Sequence, residues 1–286
     1  MLILAALRWS DPRAEVDPLS GKVRTDARGS GAGTADQAAL EHSLRLREEL
    51  GDGATVTAVT VGPAAAGEML REALAVGADT VLRVEGPDPA AAVTEDGSGT
   101  AGALLAGVGA RFGTAPDIVV CGDASTDRGT GSTPAFLAHL LGGVQALGLV
   151  ELTAADGRLH ALRRLDGGRR ERLVFDPPAV CSVEPAGTVL RRASLPAMLA
   201  ARRAEIPVVR AGSLDVPGGG PGGVAKPYRP RPHALPAPAG EAPHDRMLAL
   251  TGALVARTPP KVITPGTAAE AARALLDYLE ERGYTR

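Results

Sequence analysis

Residues 117–141 read DIVVCGDASTDRGTGSTPAFLAHLL. Asp117–Cys121 is a run of β-formers, the mark of a strand buried on both faces. Pro134–Leu141 is an apolar segment with the length and pattern of a helix. Between them lie Gly, Ser, Thr and Asp, where a short turn would join the two. Glycines let the backbone approach a ligand closely, and free N–H groups, hydroxyls and a following helix N-terminus favour a phosphate. Asp127 is a candidate acceptor for a sugar or adenine donor. Arg128-Gly-Thr-Gly-Ser-Thr133 is not a Walker loop, because the lysine is missing. The local motif alone leaves a polar capping loop and a ligand loop both open.

The same strand-to-helix alternation fills the first two-thirds of the chain. Leu2–Leu7 is a continuous apolar run, followed by a long Gly-rich, charged connection over residues 10–33. Thr34-Ala-Asp-Gln37 has the form of a capping box and predicts a helix to about Leu50, before Gly51. Val56–Val61 and Thr80–Val84 read as strands, Ala65–Val76 and Ala101–Phe112 as helices. Repeated βα units imply an α/β fold: a doubly wound parallel sheet of the Rossmann-like kind. In such sheets ligands bind at the carboxyl ends of strands. Three loops qualify: after Leu7, after Val61 at Gly62-Pro63, and after Cys121.

After residue 149 the pattern changes. Val150–Leu152, Leu159–Leu165, Arg172–Phe175 and Ala179–Val183 read as short strands with Asp-Gly turns at 156–157 and 166–167, a small β-rich addition. We expect an α/β domain over 1–210. Residues 211–245, with GGGPGG and many prolines, read as a linker arm. A C-terminal segment follows over 246–286. Its helix opens with the capping box Thr267-Ala-Ala-Glu270, carries apolar residues at Ala271, Leu275, Leu276 and Leu279, and ends at Gly283. That stripe must dock on the chain's own body or on a partner.

Composition narrows the function classes. The 286 residues carry a net charge of −2, enough chain for a sizeable core. Three Phe, three Tyr and one Trp leave little for stacking bases, and no basic tract suggests nucleic acid. The positive charge is nearly all Arg, which reads as compositional bias before function. Cys121 and Cys181 end apolar runs and read as buried small residues. His42, His139, His160, His233 and His244 show no metal-ligand spacing. The N-terminal MLILAALRWSD reads as a first strand rather than a signal peptide. No run approaches a membrane span, so a cytoplasmic protein is expected.

Several segments together resemble the beta subunit of electron transfer flavoproteins. They are Ala35-Asp-Gln-Ala-Ala-Leu-Glu41 with Leu44-Arg-Leu-Arg-Glu48, then Val56-Thr-Ala-Val-Thr-Val-Gly-Pro63 followed by Leu70-Arg-Glu-Ala-Leu-Ala-Val-Gly-Ala-Asp79. The likeness continues through Asp117–Gly122, Asp127 and Pro134. It returns at Pro178-Ala-Val180 and at Arg191-Arg-Ala-Ser-Leu-Pro-Ala-Met-Leu-Ala-Ala-Arg-Arg203.

The resemblance implies a subunit that pairs with an alpha subunit holding the redox FAD. It binds an adenine nucleotide itself: AMP in most members, a second FAD in the electron-bifurcating branch. It implies that Ala6, Val61, Gly62, Gly122, Ala124, Asp127, Thr130, Ser132 and Thr133 surround the nucleotide. It also implies a recognition segment for a partner dehydrogenase, with Leu195 as the inserted anchor and Arg191, Met198, Arg202 and Arg203 around it. The C-terminal segment would clasp the alpha subunit. The chain departs from the family at Ala124, Arg128, Gly129 and Ser132, has one residue fewer before Pro134, and carries Gly33-Thr34-Ala35 in place of Asn-Pro-Phe. These changes suggest a divergent subgroup, for which the mycofactocin-associated members are one candidate. Two other readings stand beside this one. One is a nucleotide-binding regulator of the same fold without redox role, the other a nucleotide-hydrolysing enzyme, against which the absent P-loop lysine counts.

Overall fold

Alternate residues of the first strand face opposite ways. Ile3 and Ala5 belong to one core cluster, Leu4 and Ala6 to a second. A strand buried on both faces must be apolar throughout, which is why Leu2–Ala6 shows no polar alternation. The computed structural model describes residues 1–17, 19–20, 23–85, 97–127, 129–210, 242–251 and 262–284. The chain divides into two units, Met1–Arg229 and Pro230–Arg286.

In the first unit β1 is Leu2–Ala6. Four two-residue strands follow: β2 (Trp9–Ser10), β3 (Glu15–Val16), β4 (Val23–Arg24) and β5 (Gly31–Ala32). They pair as β2 with β5 and β3 with β4, so the connection expected over 10–33 is partly ordered into two small ladders. Then come α1 (Thr34–Leu50), β6 (Thr55–Val61), α2 (Gly67–Val76), β7 (Thr80–Glu85), α3 (Ser98–Phe112), β8 (Ile118–Gly122) and α4 (Thr133–Leu141). The remainder is β9 (Val144–Ala155), β10 (Arg158–Arg164), β11 (Arg170–Phe175), β12 (Ala179–Val183), α5 (Leu195–Arg203) and β13 (Val208–Arg210).

One nine-stranded sheet runs β11-β10-β9-β12-β8-β1-β6-β7-β13. From β9 to β13 in that order neighbours are parallel; only β10 runs against the rest, antiparallel to β9 on one side and β11 on the other. Residues of α1 and α2 join the cluster on one face, and residues of α3 and α4 join the cluster on the other. The doubly wound parallel sheet is therefore present.

Two local expectations change. The β-rich addition joins the main sheet, and its first strand starts earlier than the sequence suggested. β9 begins at Val144, pairs parallel with β12 through Val144–Leu149 and antiparallel with β10 beyond. Gly148, at φ +67°, sits at the change of register. The 156–157 turn has positive φ at both Asp156 (+52°) and Gly157 (+74°), the geometry that matches hairpin twist. At α1 the expected box is displaced by one residue. Gly33 is the N-cap, and Asp36 accepts its amide at 3.2 Å, while Gln37 donates to the Ala32 carbonyl at 3.1 Å. A glycine cap has no side chain, so the carboxylate three residues on supplies the only reciprocal contact.

In the second unit the expected arm over 211–245 lies mostly outside the described residues, and α6 (Pro243–Leu250) starts inside its last part. The helix α7 (Ala268–Glu281) is capped by Thr267, whose hydroxyl accepts the Glu270 amide at 3.2 Å. Glu270 in turn accepts from Gly266 at 2.9 Å rather than from Thr267. No residue of α6 or α7 is buried; Leu275 is 60% and Leu276 51% exposed.

At Gly107 α3 approaches the sheet without a side chain. A Cβ on Gly107 would stand 2.5 Å from Cγ2 of Val84. Gly107→Ala gains about 1 kcal/mol of helix propensity but overpacks against a stiff β-branched neighbour at a cost of about 1–3 kcal/mol. Urea denaturation should show a net loss near 1 kcal/mol. A stabilised variant would mean that this layer yields freely.

Candidate functional site

The sheet reverses its winding at β1. The chain steps outward from β1 to β6 and β7, then returns to β8 on the other side of β1. The helices after β1 and β8 lie on opposite faces, so the strands' carboxyl ends open into a crevice, the position at which such sheets bind ligands. A cleft with about 560 Å³ of unfilled space, part of it open to solvent, occupies it. Its enclosed part is only about 70 Å³, below the roughly 300–1,000 Å³ typical of small-molecule sites.

Six of the nine nucleotide candidates line this cleft: Ala6, Val61, Gly122, Ala124, Thr130 and Thr133. Gly62, Asp127 and Ser132 stand outside its lining. Gly62 is tied by its amide to Val84 at 3.0 Å and by its carbonyl to the Arg83 guanidinium at 3.1 Å. Ser132 is the N-cap of α4. Asp127 accepts two bonds from Arg8, from Nε at 2.8 Å and Nη2 at 2.7 Å, a fork geometry that fixes both groups. Its carboxylate is therefore engaged with protein, where the sequence suggested a sugar or adenine donor.

Arg8, Asp36 and Thr100 also line the cleft, and sequence reasoning missed them. The rule that ligands meet strand ends contained the signal for Arg8, two residues past Ala6. Asp36 was hidden inside an apparent capping motif. Thr100 belongs to the start of α3, which the topology brings against the start of α4. A Cβ at Gly97, itself at φ +98°, would stand 2.7 Å from Oγ1 and 3.1 Å from the amide of Thr133. Two helix N-termini thus meet at one end of the cleft, with the Thr100, Thr130 and Thr133 hydroxyls around them, a setting that favours an anion.

The loop over 123–131 is held on several sides. Ser125 donates its amide to Thr130 at 2.9 Å and accepts from Gly129 at 2.8 Å. Ser10 and Thr126 share a hydroxyl bond of 2.8 Å. A Cβ at Gly131 would fall 2.2 Å from the Asp123 carbonyl oxygen, so the loop can fold this tightly only on glycine. One group is left over. The Ser125 hydroxyl is buried in the cleft wall and has no hydrogen-bond partner among the described residues. A buried unpaired hydroxyl costs about 1–3 kcal/mol, a cost that a water or a polar ligand atom placed there would relieve.

Asp36 is the electrostatic oddity. Burial pushes its carboxyl up to about 6. Bonds from the Arg8 and Gly33 amides and the Arg8 charge oppose the rise, and the Asp127 charge adds to it. Burial also pushes the Cys121 thiol up, and the Cys181 thiol up to about 12. Neither is a thiolate near neutrality, in keeping with their reading as buried small residues. Among the described residues no group of three or more His, Cys, Asp and Glu side chains is placed to hold a metal, and no helix is long and apolar enough to cross a membrane.

Away from the cleft, α5 opens at Leu195. Ser194 caps it, accepting the Ala197 amide at 3.3 Å. Leu195 is 68% exposed, with Met198, Leu199, Arg202 and Arg203 also exposed beside it. Arg191 differs from the rest of the expected ledge. Its guanidinium turns inward to Glu41 and Glu48 on α1.

The raised Asp36 carboxyl gives a pH signature. The folded state holds the proton more tightly than the unfolded state. Stability from this group is therefore greatest below pH 4 and falls as pH rises from about 4 to about 6. Over the interval from 3.8 to about 6 the loss approaches 3 kcal/mol at about 1.4 kcal/mol per pH unit. Asp36→Asn should gain on the wild type by that order between pH 4 and 6, in parallel denaturant titrations. A wild-type-minus-variant difference that is flat with pH would rule out a proton held at Asp36.

Comparison with known proteins fits this geometry. A family model described as "Electron transfer flavoprotein domain" matches residues 23–214. The chain is 33% identical over 187 residues to Protein FixA of Sinorhizobium fredii, covering 63% of this chain and 64% of that protein. It is 32% identical over 184 residues to the electron transfer flavoprotein subunit beta of Mycobacterium tuberculosis, covering 63% and 67%. With the Bos taurus subunit beta it shares 31% identity over 178 residues, 62% and 68% of the two chains. The match thus spans about two-thirds of each relative. The α/β core, its cleft and the α5 ledge all fall within a chain that belongs to the electron transfer flavoprotein family, on its beta-subunit side.

Proposed function

We propose that this chain is the beta subunit of a two-subunit electron transfer flavoprotein. In this reading it binds an adenine nucleotide in the cleft between β1 and β8, pairs with an alpha subunit that holds most of the redox FAD, and presents α5 to a dehydrogenase. The observation that carries the nucleotide is the buried, unpartnered Ser125 hydroxyl in a cleft ending at two helix N-termini. Apolar walls at Ala6, Val61, Leu104 and Cys121 suit an adenine ring. The hydroxyls of Thr100, Thr130 and Thr133 suit a phosphate, and Arg8 holds the loop over it through Asp127. AMP would supply no redox chemistry, whereas a FAD would carry electrons. Electron passage between bound flavins needs positioning rather than an acid, base or nucleophile.

The second unit has a role in the same reading. An isolated helix the length of α7 is marginal in water, and its stripe at Leu275, Leu276 and Leu279 has no buried residue. Covering that stripe would contribute about 1.5–3 kcal/mol for each leucine, before ordering costs. We assign it to the alpha subunit, in the cytoplasm. Truncation after Gly240 should leave a folded α/β core that no longer co-purifies with the alpha subunit. Full-strength binding by the truncated chain, or its unfolding, would remove the clasp.

The nucleotide is tested by denaturing the purified heterodimer and analysing the released small molecules by mass spectrometry. One adenine nucleotide per heterodimer, beyond the FAD of the alpha subunit, is expected. Gly131→Ala, whose Cβ would meet the Asp123 carbonyl at 2.2 Å, should lose it while the far side of the sheet stays folded. Heterodimer that carries only the alpha-subunit FAD would sink the nucleotide reading. A chain that binds nucleotide but never pairs with a flavin-bearing subunit would point to a regulator instead.

A further inference from the structure

The segment between β12 and α5, residues 184–194, has no strand or helix of its own. Its backbone ties are few: Glu184 donates to the Leu149 carbonyl at 2.8 Å, and Thr188 to Pro185 at 3.4 Å. Its course is fixed by side chains on one stripe of α1. The Thr188 hydroxyl lies 3.2 Å from Nε2 of His42. Leu190 packs on the core cluster that α1 shares. Arg191 makes the largest contribution. Its backbone amide and Nε donate to one oxygen of Glu41, at 3.1 and 3.0 Å, and its Nη2 donates to the other at 3.1 Å. Its Nη1 donates to Glu48.

Glu41 is only 4% exposed. A carboxylate that deep is costly unless fully bonded. Here it accepts from Arg191 three times and from Arg45 at 2.9 Å. Together these hold its carboxyl below its ordinary range despite the burial. The same bonds drive the Arg191 guanidinium further up, so it stays charged. Glu41, Arg45 and Glu48 recur at intervals of four and three, one face of the helix. A rigid helix therefore carries a socket for Arg191, three residues before the cap of α5.

We propose that Arg191, seated on Glu41 and Glu48, is a positioning residue that sets the place of the exposed Leu195–Arg203 ledge and does not itself touch the partner. Arg191 is half-buried, with its guanidinium bonded to α1, while Arg202 and Arg203 stand exposed. The fork geometry matters as well as the charge, because three guanidinium nitrogens are used at once.

The proposal rests on the reading of α5 as a docking surface, and the test separates the two. Prepare the heterodimer with wild-type chain, Arg191→Ala, Arg191→Lys, Leu195→Ala and the double variant Arg191→Ala/Leu195→Ala. Measure hydrogen exchange over residues 188–197, and measure the steady-state KM and kcat of a dehydrogenase that reduces the wild-type heterodimer. Arg191→Ala should raise exchange in that window at least tenfold, with Arg191→Lys between it and the wild type. It should raise KM at least fivefold at nearly constant kcat, as should Leu195→Ala. The double variant should be no worse than Leu195→Ala alone, since both changes disable one ledge. Exchange that stays at the wild-type level overturns the clamp. Single effects that multiply in the double variant overturn the positioning role and make Arg191 an independent partner contact. Faster exchange with no change of KM in either single variant removes the docking surface, and the proposal falls with it.

Discussion

A backbone contact between the end of β8 and the start of α1 makes the cleft possible. A Cβ on Gly122 would stand 2.9 Å from Cβ of Ala35, 3.0 Å from its carbonyl carbon and 3.1 Å from the Asp36 amide. Only a bare α-carbon lets the helix come so close. That closeness brings Asp36 under the Arg8 amide and Gly33 against Thr126, whose Cγ2 would lie 3.1 Å from an added Cβ. Arg8 then reaches Asp127, and Ser10 reaches Thr126. The loop over 123–131 is thereby fixed from the side of β1, with the buried Ser125 hydroxyl facing the cleft without a protein partner among the described residues.

The parts of this architecture that repeat a strong period were readable from the chain alone. Leu2–Ala6 and Ile118–Gly122 carry no polar side chain because both sheet faces are covered, and Thr55–Val61 keeps the same β-branched character with Thr57 and Thr60 buried. What could not be read was anything set by contacts distant in sequence. Val144–Leu149 became strand because β12 offers it a parallel partner across a Gly148 bulge. Val208–Arg210 is a strand only because β7 has an open edge. The cap of α1 shifted from Thr34 to Gly33, since Asp36 is drawn to two amides, one of them 28 residues away. Asp127 was assigned to a ligand because its partner, Arg8, lies 119 residues earlier. The local alphabet supplied the loop's chemistry, and only the topology supplied its partners.

The abundance of arginine looked like composition rather than design. Many of these side chains join separate elements: Arg8 to Asp127, Arg47 to Asp79 at 2.8 Å, Arg164 to Glu184 at 2.8 Å, Arg191 to Glu41. The more exposed of these pairs each contribute about 0–1 kcal/mol, so they do little for global stability, while Arg191–Glu41 is buried at its carboxylate. Their use is local. In a chain with 36 glycines and 23 prolines, loops have many conformations, and a bidentate guanidinium selects one. The buried apolar clusters hold the sheet, while the arginines decide where its loops lie.

The helix α1 links these two jobs. Its first turn supplies Asp36 to the cleft, and five residues on, about 8 Å along the axis at 1.5 Å per residue, it supplies Glu41 to the segment that leads to α5. A helix packed on the sheet along much of its length transmits no swing of its own, because close-packed interiors deform little. The distance between the cleft and the exposed Leu195 ledge is therefore set in advance, by one rigid element. That arrangement suits a carrier whose task is to hold two partners in fixed register. Disturbing the seat of Arg191 would loosen the ledge without reaching the cleft, and disturbing Gly122 would open the cleft without freeing the ledge, since each end of α1 is held by its own set of bonds.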